Sequence, residues 1–154
     1  MKLAIVILMA MGIGTAAASE EWLKAQEVMA PACEQWVKTF CPERAFETWS
    51  KRTLDRADSI VSEGRASNRE EAIKSMVLDW MWDNESKLKK KDHKALKVAC
   101  FYFLLLKNQD IEPPGVLKNN FNIDEAIKLA EELVAMSNGK NLANASKATP
   151  SKDQ

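Results

Sequence analysis

The stretch Lys94–Asp110, KALKVACFYFLLLKNQD, decides the fold. Its nine consecutive apolar residues, Val98 to Leu106, are too few to cross a bilayer, which takes about 20. A run of this length is either a buried strand or a core helix. Asp92 stands just ahead of it as an N-cap, and the Leu, Ala and Lys content favours helix. A helix that is apolar on nearly all sides must be surrounded by other helices.

The rest of the chain offers those neighbours. Trp22, Gln26, Met29, Cys33, Trp36, Val37 and Phe40 recur at steps of three and four, the spacing of one helical face. Pro31 falls within that pattern without shifting its phase, as a kink or as the first residue of a second segment. Pro42 ends the helix near Phe40 and opens a second at PERAF, whose inner face is Phe46, Trp49, Thr53, Ala57, Ile60 and Val61. Gly64 stops it. Ser67 and Glu70 read as a capping box for a third helix with Ala72, Ile73, Met76, Val77, Trp80 and Met81 inside, fraying at DNESKLKKKD. IEPPGVLKNN terminates the fourth, since two prolines and a glycine cannot continue a helix. Asn122 and Glu125 then start a fifth, lined by Ile123, Ala126, Ile127, Ala130, Leu133 and Val134. With no strand alternation and no repeat, the expected fold is an all-α, up-and-down bundle of four to five helices.

Residues 1–18 stand apart from that domain. Lys2, the apolar stretch Leu3–Ile13 and the small residues Ala16-Ala17-Ala18 form the pattern of a cleaved signal peptide. An uncleaved anchor is the alternative, but the apolar part is short for a span. The short Ala-x-Ala signal favours a bacterial periplasm, with secretion as the other exported destination. Residues 19–136 form the domain, and the polar residues 137–154 are expected to be a disordered tail. Asn84 and Asn144 each begin an N-x-S pattern, which matters only in a eukaryotic source.

Charge narrows the partners. The chain is neutral overall, and losing residues 1–18 removes only Lys2, leaving a net charge of −1. Nucleic acid and anionic membranes are disfavoured, because both demand clustered positive charge in excess.

Three cysteines remain to be placed. If the first and fourth helices are antiparallel neighbours, Cys33 and Cys100 lie roughly 10 and 12 Å from the same end of the bundle. An exported compartment is oxidising, so a Cys33–Cys100 disulfide is predicted, stabilising by about 4 kcal/mol through loop closure. Reduced, buried thiols are the alternative. Cys41, roughly 12 Å along the axis from Cys33, is out of reach of that bridge. It is left as a half-buried corner residue or as a thiol that links two chains, including a Cys41-linked dimer.

Catalytic signals are sparse. The one histidine, His93, sits among lysines in KKKDHKAL and reads as solvated. A Cys41–His93 pair would lack a third orienting residue. One spare cysteine and one histidine do not make a zinc site. DIEPPGVLKNNF imitates a calcium loop but places Pro114 and Phe121 where oxygen ligands are required. No haem-attachment, nucleophile-elbow or phosphate-cradle motif occurs. No cofactor or metal is therefore expected, and an enzyme is the least favoured class.

What remains is a surface. In DWMWDNESKLKKKDHK, Trp82 falls off the stripe made by Trp80 and Met81 and precedes Lys87, Lys89, Lys90 and Lys91. An exposed tryptophan beside positive charge suits an acidic or aromatic partner surface. The bland alternative folds Trp82 over the helix end beside solvated lysines. The leading expectation is an exported, non-enzymatic helical protein that binds another protein, of inhibitor, immunity or accessory type. A carrier of a small apolar ligand in the bundle interior is the alternative, suggested by the Met and Trp content.

Overall fold

The computed structural model describes residues 20–112 and 123–148, with the side chains of residues 21, 22, 123, 125 and 144–148 excepted. The signal-like segment, the calcium-loop imitation beyond Glu112 and the last six residues lie outside that description.

Among the described residues every regular element is a helix: α1 (Glu20–Phe40), α2 (Ala45–Ser62), α3 (Arg69–Lys89), α4 (His93–Asn108) and α5 (Ile123–Ala148). The apolar run forms the interior of α4, where all residues from Phe101 to Leu106 are buried. Asp92 caps the helix as its sequence position implies, its carboxylate accepting from the Ala95 amide at 3.1 Å. Three helices, α1, α2 and α3, pack around α4, and α5 covers the far side of α1.

Side-chain pairs fix the directions. His93, at the start of α4, meets Trp36 and Phe40 near the end of α1, while Lys107 at the other end of α4 pairs with Glu34 at 3.5 Å. These two helices therefore run antiparallel. Gln35 donates to Asn138 at 3.0 Å and Lys140 to the Thr39 carbonyl at 3.2 Å, so α1 and α5 run parallel. One layer is α1 with α5, another is α2 with α3, and α4 lies between them.

Four expectations need correction. Cys33 and Cys100 do meet, at 3.6 Å, but they are not bonded. A disulfide needs sulfurs about 2.05 Å apart, and this pair instead shares a thiol-to-thiol hydrogen bond inside the core. The reduced alternative describes the pair. The expected polar tail is helical as far as Ala148, because polar residues beyond Met136 find partners within the fold. Buried Ser137 bonds its hydroxyl back to the Leu133 carbonyl at 2.9 Å, Asn138 accepts from Gln35, and Lys140 lies over the Phe40 ring at 4.9 Å. The cap of α3 is shifted by one residue. Asn68 accepts from the Glu71 amide at 2.9 Å, and Glu71 reaches back to the Ser67 amide at 3.0 Å. Ser67 was a plausible cap from its type alone, but Asn68 offers an equally good acceptor one position nearer the first helical turn. Finally, α3 does not fray at DNESKLKKKD but runs to Lys89, held by buried Leu88 at its end.

Pro31 lies inside an unbroken α1. The second helix begins after Arg44, whose φ of 69° is left-handed, and ends before Gly64 at φ +76°. That last conformation is easy for glycine and strained for any other residue.

Two substitutions test these local assignments. Asn68→Ala is expected to cost about 1 kcal/mol in urea unfolding by removing the α3 cap. Gly139 is an exposed residue in the middle of α5 with open space where a Cβ would stand. Gly139→Ala should therefore stabilise by about 0.5–1 kcal/mol, measured the same way; loss of stability there would contradict a helical residue 139.

Candidate functional site

The chain carries five tryptophans, and three of the described ones have aromatic partners. Trp36 stacks against Phe40 and His93, Trp49 against Phe46, Phe101 and Tyr102, and Trp80 against Tyr102. Trp82 has none, and 57% of its surface is exposed. The reason lies in helical phase. Met81 is buried and Trp80 is half-buried against α4, so the residue after them must point away.

Along α3, Trp82, Glu85, Ser86 and Lys89 share a face, and Lys89 lies roughly 10 Å beyond Trp82. Lys90 caps the helix. The helical phase thus brings Trp82 and Lys89 to one side with Lys90 at its edge, whereas Lys87 lies well round the helix from Trp82. All three lysines are exposed and form no ion pair among the described residues. Lys91 departs from the expected group. It turns left-handed at φ 55° and pairs with Glu132 of α5 at 3.3 Å, tying the α3–α4 turn to the outer helix. Lysines near a helix C-terminus are favoured by its dipole, which accounts for Lys87 and Lys89 by themselves. It does not account for an exposed indole beside them.

The cysteines give a different picture. Cys33 and Cys100 are buried and face each other, whereas Cys41 is half-buried at the corner after α1. Burial pushes the Cys41 thiol up, and the nearby ammonium groups of Lys97 and Lys140 only partly offset it. A thiol held above its usual range is a poor nucleophile at neutral pH. Cys100 is driven well above the usual range by its hydrogen bond to Cys33 and by burial.

His93 is exposed at one edge, yet its ring is occupied by Phe40, edge-on at 5.0 Å, and by Trp36 at 5.5 Å. It closes the end of the α1–α4 seam, a packing role that its lysine-rich context hid from sequence reading. Lys140, placed over Phe40 from α5, was missed for the same reason as its helix. Among the described residues no group of three or more His, Cys, Asp or Glu side chains is gathered as a metal site. No described helix is long and apolar enough to cross a membrane.

Cavities add little chemistry. A furrow of about 410 Å³ runs between α1 and α5, lined by Val28, Pro31, Ile127, Ala130, Glu131 and Val134. Another of about 460 Å³ lies where Leu23, Glu27, Pro31, Glu34 and Lys107 meet. Both are surface features with charged rims. No family model, curated protein or solved structure matches the chain, so function rests on its own residues.

Proposed function

We propose that this chain is an exported, non-enzymatic binding protein, acting in the periplasm or outside the cell, that engages an acidic protein partner through the end of α3. The observation that carries the reading is Trp82, exposed without a ring partner among the described residues, on the helical face it shares with exposed Lys89, with exposed Lys87 and Lys90 at the same end of the helix. An indole supplies large apolar contact area at low entropic cost, and surrounding ammonium groups select and orient an acidic surface. The cleavable-signal pattern at residues 1–18 supports export. A ligand carrier would need an enclosed volume, and the two furrows found among the described residues are open surface features.

The experiment is capture from an extract of the protein's own compartment by the wild-type chain and by a Lys87→Glu, Lys89→Glu, Lys90→Glu variant, with salt varied. A partner retained by the wild type, lost from the variant and weakened by salt supports the reading. The same proteins retained by both chains would overturn it.

A further inference from the structure

The five helices fall into two groups that share one principal seam. Packed on one side of it are α1 and α5, and on the other α2, α3 and α4; the join runs along α1 against α4. Cys33 of α1 and Cys100 of α4 face each other across that join at 3.6 Å, each almost fully buried. Two ion pairs also span the groups among the described residues, Lys91–Glu132 and the more exposed Lys107–Glu34, and pairs exposed to solvent contribute little.

We propose that Cys33 and Cys100 are an oxidisable dithiol latch, reduced in the state described here and closed by a small peroxide to lock the α1–α5 layer onto the rest of the fold. One sulfur, after losing its proton to water, attacks an oxygen of hydrogen peroxide. The O–O bond breaks, and the departing hydroxide takes up a proton as water, leaving a sulfenic acid. The second sulfur attacks the first, the S–O bond breaks, the S–S bond forms and a second water leaves. Two thiols lose two electrons and one peroxide is reduced to two waters. Closure draws the sulfurs from 3.6 Å to about 2.05 Å. That movement is small because the two side chains already touch. The burial that holds the pair also shields it, so oxidation waits on transient opening of the seam. Once formed, the bond suppresses that same opening.

The test treats the full chain with hydrogen peroxide, blocks remaining thiols and reads intact mass, a peptide map and amide exchange. The expected result is loss of two hydrogens in the wild type and in Cys41→Ala, mapped to a Cys33–Cys100 link and absent from Cys33→Ala. Amides of α1 in the oxidised wild type should exchange at least about tenfold more slowly. A link through Cys41, oxygen addition without any link, or a Cys33–Cys100 link that leaves α1 exchange unchanged would each overturn the latch. The wild-type map decides the matter even if Cys33→Ala fails to fold.

Discussion

Phe103→Ala is expected to lower the unfolding free energy by about 3–5 kcal/mol, enough to remove much of the stability of a domain this size. Phe103 is wholly buried in the middle of α4, flanked by Leu105 and Leu106, which are equally inaccessible. The helix is surrounded by α1, α2 and α3, so no single neighbour can move in to fill the space left by a phenyl ring. The cost therefore combines lost transfer free energy with a retained cavity. Urea unfolding followed by tryptophan emission measures it. A loss below about 1 kcal/mol would mean that α4 is not the centre of the fold.

Tyr102, one residue before it, sets the alkaline limit. Its side chain lies edge-on to Trp49 at 4.8 Å and near Trp80 at 5.7 Å. Burial is the main reason its hydroxyl is pushed up to about 12; Arg56 pulls the other way and Asp79 adds to the rise. An unfolded tyrosine ionises near 10. Between those values the folded state holds a proton that the unfolded state has lost, so stability falls as pH rises. The contribution is fully present below about pH 10. It declines by about 1.4 kcal/mol at pH 11 and by about 2–3 kcal/mol once pH passes 12. Lysines and cysteines titrate in the same range, so the comparison is with Tyr102→Phe, which keeps the ring. Wild-type stability should drop more than that of Tyr102→Phe from pH 8 to pH 11, and parallel curves would contradict the assignment.

The helices were legible because each inner face repeats apolar residues at helical spacing, and α4 announced itself through sheer apolar length. The meeting of Cys33 with Cys100 followed from counting residues along two antiparallel helices. Whether they bond did not, since depth along an axis says nothing about how the sulfurs are turned. The second half of α5 was hidden because Asn138 and Lys140 are polar residues whose partners sit on α1, more than 100 positions away in sequence, and Ser137 is a buried polar residue that bonds back to its own helix. The same blindness covered His93, whose ring joins Phe40 and Trp36 across the fold. At the candidate surface, the off-stripe phase of Trp82 gave its exposure, whereas the diversion of Lys91 to Glu132 depended on a helix contact that no local pattern contains.

The central claim is that the end of α3, and not another face, meets the partner. A photo-reactive amino acid in place of Trp82, introduced in the living source cell, tests it directly against the same group at Ala135, an exposed position beside the α1–α5 furrow. The account predicts a protein adduct at position 82 and none at position 135. An adduct at 135 with none at 82 would contradict it.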